Sequence, residues 1–454
     1  MKKLLLFTIL LYTVTTKAQC WESIANGEKH VMAIQPNGTL WGWGDGEVGK
    51  LGNGTGWSSN TPEQIGSATD WQSVSGGFNH SFGIKDNGTL WSWGGNFGGS
   101  LGIGSTIPFS LIPVQVGTHS WKMVVAGHRF SIGIRSDGTL WGWGLNENGT
   151  VGDGTTVNRS VPVLINSSTN WKMVSCNLSR TMAIKEDGTI WAWGLNAPAF
   201  GIIGEAGGQN VISVPTQIDT ITDCKTVAVS SGHYLVIKND GTLWAWGGGG
   251  NGKLGLGNTN ASFLPTQVGT DTDWASVEAD SFSSFAIKTN GTLWAWGSNM
   301  WGRLGNGTEI DLLVPTQITL DTNWLVVSTS AAATVALKTD GSLSAWGYNG
   351  FLQYGNGTNI TQFTPQVITT CNLGTENFNK KRVHLYPNPV QNRLFVASEE
   401  TQQYKIYSIL GVKISEGILS VGSGIECSGL NSGVYLINLT NGLGQSSTLK
   451  FVKE

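Results

Sequence analysis

The sequence predicts an all-β chain, a seven-bladed β-propeller followed by a small β-sandwich-like C-terminal domain. Three observations predict it. Gly accounts for 64 of 454 residues and Trp for 21, while charged residues make up 13 %. That mix is too aromatic for disorder and too interrupted by glycine for long helices. One unit of about 50 residues recurs seven times, a period typical of blade-like repeats. Every copy also carries an Asn-Gly or Asp-Gly pair between two alternating stretches, the signature of a hairpin.

The copies start at Trp21, Trp71, Trp121, Trp171, Cys224, Trp274 and Trp324, with spacings of 50, 50, 50, 53, 50 and 50 residues. Thirteen residues on lies an aliphatic: Ile34, Ile84, Ile134, Ile184, Ile237, Ile287 or Leu337. Four further on lies a glycine, from Gly38 to Gly341. Because each glycine follows Asn or Asp, the pair reads as a two-residue turn with positive φ at both positions. A strand such as 80–85 leads into the turn, and 89–93 leads out. Residues two apart share a sheet face, so Trp91 and Trp93 lie together. Between each Trp pair stands a small residue (Gly42, Ser92, Gly142, Ala192, Ala245, Ala295, Ala345), expected to let the neighbouring sheet approach. In the last copy Ser344 replaces the first Trp. A start strand such as 71–76 and a strand following Pro113, Pro265 or Pro315 complete four strands per copy. A lone blade has too little core, whereas radial stacking buries both faces and leaves few edges.

Residues 1–18 read as a secretory signal peptide. Lys2 and Lys3 precede an apolar run from Leu4 to Val14, and Thr16-Lys17-Ala18 offers small residues at the cleavage positions. The run is too short to span a bilayer, and no transmembrane segment is expected elsewhere. The repeat region is set at 19–371, a linker at 372–380 and a rear domain at 381–454. From Cys20 to Cys371 there are 16 basic and 24 acidic residues. An acidic surface without a basic stripe argues against nucleic acid as a partner. Five cysteines occur without a CxxC pair, which disfavours a zinc site. Cys20 and Cys371 bracket the repeats, so a disulfide locking the ring is the first hypothesis, and Cys176 with Cys224 is a weaker pair.

Within the copies, Gly77 and His80 give G-x-x-H. D/N-G-T-L-W-x-W-G follows, and Asn96 to Gly104 and Asn299 to Thr308 give N-x-x-G-x-L-G-x-G-T. On these residues the chain resembles the regulator-of-chromosome-condensation repeat family over residues 20 to about 371. The resemblance implies a seven-bladed propeller and a binding role. Copies four and seven depart from the pattern, at Cys176-Asn177-Leu178 and at Ala331 to Ala333.

The rear segment alternates as strands at 393–397 and 403–407. Its Tyr386-Pro387-Asn388-Pro389, its strand from Gly433 through Tyr435 to Leu436, and its final Lys450 to Lys453 resemble the type A C-terminal sorting domain of the type IX secretion system. That resemblance implies the type IX machinery as a partner. It also implies passage through the periplasm to the extracellular space or outer cell surface, with the tail then removed.

No motif carries catalysis. His30, His80 and His233 share one repeat position, but ligands to a metal must converge, so these read as structural and neither a metal nor a cofactor is expected. The Gly-x-Gly strings lack the Lys-Ser/Thr of a phosphate loop. Acid pairs such as Asp45/Glu47 and Asp271/Asp273 lack a partnered base. The aromatics outside the repeat phase are Trp57, Phe97, Phe200, Trp301 and Phe351. They fall in inter-strand loops, where a rigid scaffold usually carries binding, and are the candidate ligand-binding residues. The expectation is a non-enzymatic module that grips an extracellular protein or glycan through loops on one face. The alternative is a secreted hydrolase with its active site at the mouth of the ring.

Overall fold

The computed structural model describes residues 21–196, 201, 210–330, 333–369, 384–386, 388–397, 401–408, 413–441 and 446–454. The signal peptide, Cys20, Phe200, Cys371, Pro387 and the linker therefore lie outside the described residues. The chain divides into two compact units, with the break between Cys371 and Asn372.

The first unit is a ring of seven blades, each an antiparallel meander whose strands run from the centre outward. Blade one is Ser23–Asn26, His30–Ile34, Leu40–Gly44 and Ser59–Gln64. Blade seven is Trp324–Thr329, Ala333–Lys338, Leu343–Gly347 and Gln362–Thr369. One strand, Phe109–Ala126, is both the outer strand of blade two and the inner strand of blade three, which makes their sheet seven-stranded. The outer strands begin before their proline rather than after it. Pro62, Pro265 and Pro315 sit where the register with the third strand shifts, a bulge on an edge strand that needs no donor.

The hairpin turn differs from expectation. Ile34 pairs with Leu40, Gln35 N–H bonds Thr39 O, and Gly38 N–H bonds Gln35 O, which leaves three residues in the loop. Gly38 has φ 74°, while Asn37 is not among the positive-φ residues. The loop is thus a turn followed by a glycine bulge, and one left-handed residue suffices. Asn37 serves another purpose: its Oδ1 accepts the Thr39 N–H and the Thr39 hydroxyl, at 3.1 and 2.7 Å. Thr39 Oγ1 in turn accepts the Trp41 indole N–H at 2.9 Å. The same relay runs through Asn87-Thr89-Trp91, Asp137-Thr139-Trp141, Asp187-Thr189-Trp191, Asp240-Thr242-Trp244 and Asn290-Thr292-Trp294. The D/N-G-T-L-W string is therefore one hydrogen-bonded unit.

The paired tryptophans have unlike fates. The first is half-buried, and a cation rests on it: Lys85 over Trp71 and Trp91, Arg135 over Trp121 and Trp141, Lys288 over Trp274 and Trp294. The second is fully buried, and in every blade but the fifth, where the Trp246 indole N–H has no partner among the described residues, it reaches the preceding blade. Trp93, Trp143, Trp193, Trp296 and Trp346 donate to the carbonyls of Lys50, Ser100, Thr150, Lys253 and Arg303, at 2.8–3.0 Å. The small residue between them faces a different neighbour from the one expected. A Cβ on Gly142 would stand 2.6 Å from Val151 O, in the loop of its own blade.

Blade seven meets blade one through the same contacts. Trp43 donates to Gln353 O at 2.7 Å, Asn26 N–H to Ser328 Oγ at 3.0 Å, and Trp21 N–H to Gly341 O at 3.1 Å. Trp21, Trp43, Val335 and Leu343 share one buried cluster. The ring is closed without reference to a disulfide, and the Cys20–Cys371 pair lies outside the described residues. Cys176 and Cys224 are both free thiols, so the weaker pairing is not formed.

The second unit packs His384–Tyr386, Arg393–Ala397 and Gly424–Glu426 as one sheet, with a second of Lys413–Leu419, Gln402–Ser408, Gly433–Asn441 and Ser446–Lys453. Val390, Leu394, Ile406, Ile437 and Phe451 are among its own core residues. Among the described residues no helix is long and apolar enough to cross a membrane.

Candidate functional site

Two kinds of connection emerge on each face of the ring. Turns between first and second strands and loops between third and fourth share one face, because Asp45 N–H bonds Lys29 O. The hairpins and the links to the next blade share the other. All four described candidate aromatics, Trp57, Phe97, Trp301 and Phe351, stand in third-to-fourth-strand connections and therefore on the loop face.

These loops are anchored at both ends and open at the tip. Asn299 is buried, and its Nδ2 reaches Asn306 Oδ1 and the carbonyls of Thr308 and Ile310 while its Oδ1 accepts Leu304 N–H. Asn96 and Asn146 hold their loops in the same way. Further on, the described loops bond the next blade's outer strand: Gly54 N–H to Leu111 O, Gly307 N–H to Phe363 O and, across the closure, Gly357 N–H to Asn60 O.

The structure brings Trp301 and Phe351 together through Tyr348. Trp301 and Tyr348 centroids are 5.4 Å apart and Tyr348 and Phe351 centroids 5.6 Å apart, with the Lys29 ammonium 4.3 Å above Phe351. Blades six, seven and one thus share one aromatic cluster. Phe97 stands apart under the Arg129 guanidinium at 5.1 Å. Trp57 is 81 % exposed and belongs to neither group.

The turns on this face ring the mouth of a central channel of about 430 Å³. G-x-x-H is explained here. A Cβ on Gly27 would lie 2.1 Å from the His30 ring, so glycine is what admits the imidazole. His30 Nε2 meets Ser81 Oγ of the next blade at 2.7 Å, and that hydroxyl donates to Lys50 O at 2.9 Å. The hydroxyl proton is used on the carbonyl, so Nε2 carries the hydrogen. His80–Ser131–Ser100 and His233–Ser284–Lys253 repeat the relay. Burial lowers His30 and His80 to about 3 and holds His233 well below the usual range. These histidines join blades, and Phe130 fills the same place in blade three.

Three carboxylates converge at the channel. Burial and then Asp280 push Glu278 up to about 8, and burial also raises Asp280 against the lowering effect of Arg303. Glu28 is raised by burial and then by Asp280. Two of the three have structural tasks. Glu278 accepts the Thr329 N–H of blade seven, as Ser75 accepts that of Ala126 and Ser175 that of Val229. Asp280 stands where other blades have glycine, serine or asparagine and accepts Phe282 N–H and Ser283 N–H at 2.6 and 2.7 Å. Of the acids the sequence singled out, Asp45 is paired with Lys50, and Asp271 and Asp273 with Lys288.

Sequence reasoning missed Tyr348, Glu28, Glu278 and Asp280, and also, Trp57 apart, a column of tip residues. Three positions after the last glycine of each N-x-x-G-x-L-G-x-G stretch come Trp57, Ile107, Val157, Asn260, Ile310 and Ile360, all exposed. Reading that column, rather than aromatics alone, would have found them.

In the rear unit the motif residues meet. Val452 N–H donates to Asn388 Oδ1 at 2.9 Å, Asn388 Nδ2 reaches Lys450 O at 3.4 Å, and Val390 N–H bonds Val452 O at 2.8 Å. Tyr435 stacks on Phe451 at 5.5 Å, and Gly433 pairs with Lys453. Pro389 stands exposed beside Asn388.

A closed ring of seven Trp-stapled, four-stranded blades makes this a β-propeller of the regulator-of-chromosome-condensation type, carried in front of a separate β-sandwich. The RCC1-like domain family matches residues 9–280 and 113–385, and the chain belongs to it. Residues 384–454 match the secretion system C-terminal sorting domain, which points to type IX secretion and to export or the cell surface. Among solved structures, human WBSCR16 is similar at TM-score 0.63 and 17 % identity, covering 73 % of this chain and 94 % of that one. Prp20p from Saccharomyces cerevisiae is similar at TM-score 0.66 and 17 % identity, covering 75 % and 88 %. At such identity these likenesses show the fold alone.

Proposed function

We propose that this secreted propeller is a non-enzymatic recognition module that grips an extracellular protein or glycan through its loop face. The observation that carries the reading is the Trp301–Tyr348–Phe351 cluster. Three aromatics from two blades meet on loops that are fixed beneath and open above, which is how a rigid scaffold presents contact anchors. The rear unit serves export by the type IX machinery, and the ring acts outside the cell or on its outer surface.

The test is to screen the full chain on a glycan array and against proteins secreted alongside it, in parallel with a Trp301→Ala/Phe351→Ala variant. A ligand bound by the parent and lost by the variant supports the reading. Binding that survives the double substitution, or turnover of any polysaccharide by the parent, overturns it.

A further inference from the structure

We propose that the loop face takes a folded protein, which seats an apolar surface on a crescent of loop tips and inserts a lysine or arginine at the channel mouth. This rests on the loop-face reading above and narrows it. The first observation is the column of tips. Ile310, Ile360, Trp57, Ile107 and Val157 stand at one repeat position in blades six, seven, one, two and three, which are consecutive around the closed ring. Ile310 is 72 % exposed and Trp57 81 %. The fold does not require apolar side chains there, since Asn260 occupies the position in blade five, also exposed. The backbone below is fixed: the carbonyls of Ile107, Val157 and Ile310 each accept from the anchoring asparagine of their loop. Large exposed apolar groups on a rigid arc mark an interaction surface. Four of the five are branched aliphatics, which pack against protein but offer no π face to a sugar ring.

The second observation is charge. Glu28 in blade one and Asp280 in blade six line the mouth that the crescent partly encircles, whereas Glu278, pushed up to about 8, is largely uncharged near neutral pH. The cations nearby are already committed. Arg303 lies 3.7 Å from Asp280, Lys50 is 2.6 Å from Asp45, Lys253 donates to Ser281 O at 3.1 Å, and Lys29 rests on Phe351. Glu28 forms no ion pair among the described residues. A partner that complements this face brings a positive group to the centre and aliphatic groups around it.

The experiment pans the full chain against a phage-displayed three-helix scaffold with one randomised face. The proposal expects binders carrying Lys or Arg among Leu, Ile and Val. Their affinity should fall by about tenfold or more for the Ile310→Ser/Ile360→Ser variant and for Glu28→Gln, and weaken with salt. Unchanged unfolding midpoints in both variants assign the loss to the surface. Acidic binders, binders indifferent to both variants, or no binders overturn it. Glycan binding that is lost in Trp301→Ala/Phe351→Ala but kept in Ile310→Ser/Ile360→Ser overturns the protein partner and leaves the loop-face reading standing. Binders that map to the hairpin side overturn both.

Discussion

On the hairpin face, Asx, threonine and indole close one relay, cations lie on indole rings, and Lys85, Lys288 and Lys338 pair with neighbouring aspartates. On the loop face the employed side chains lie beneath the surface, in the histidine–serine relays, the Asp45–Lys50 pair and the buried asparagines, while the tip side chains touch little. The same repeat therefore commits its surface side chains to stability at the hairpin end and leaves the tips available at the other. That division is what a binding scaffold needs, because tips can change without disturbing the blades.

The largest effect should come from breaking what both faces depend on. Trp93→Ala removes a buried indole and its bond to Lys50 O, and should cost about 3–5 kcal/mol in denaturant unfolding. Trp91→Ala, half-buried on the hairpin side, should cost clearly less.

Acid sharpens the comparison next. The relay histidines are neutral when folded and titrate normally when unfolded, so stability is whole above about pH 6.5 and is lost toward about 3, by up to about 1.4 kcal/mol per pH unit for each. His80→Phe, copying Phe130 of blade three, should flatten that decline in pH-dependent denaturation. Glu278 has the opposite sign. Its raised value means stability is lost as pH climbs from the ordinary carboxylate range through about 8, so Glu278→Gln should stabilise most above pH 8.

Asn146→Ala leaves buried backbone groups of one loop unsatisfied, and should cost about 1–3 kcal/mol with new proteolysis confined to that loop. Asp187→Ala, its counterpart on the hairpin side, should cost about 1 kcal/mol, read as a shifted unfolding midpoint. At the small end, Trp57→Ala should move stability by no more than about 0.5 kcal/mol. A large loss there would break the distinction between the two faces.

The ring was legible because its repeat fixes strand order, and seven copies average away local exceptions. The turn chemistry was misread because Asn-Gly signals a two-residue turn only if Thr39 is counted in the strand, and its side chain is instead held by Asn37. The small residue between the tryptophans was assigned to the wrong neighbour because sequence gives no path for the loop that folds back over it. Of the candidate site, the aromatic anchors could be picked out by their departure from the repeat. Their grouping could not, since Tyr348 links residues 50 positions apart through the stacking of blades. The mouth acids were hidden for a related reason. In the other blades the Glu278 position holds serine, alanine or valine and the Asp280 position glycine, serine or asparagine, and single substitutions in a repeat read as noise until blades six and one are seen to line one channel.

The seam between blades seven and one uses the same indole-to-carbonyl and loop-to-strand bonds as five of the other six junctions, yet no described strand or peptide link crosses it. In mechanical terms the propeller is a belt whose one buckle, among the described residues, is held by weak bonds. A pull applied along the chain from both ends should open that junction before any other, and new termini placed at another hairpin should move the point of failure with them.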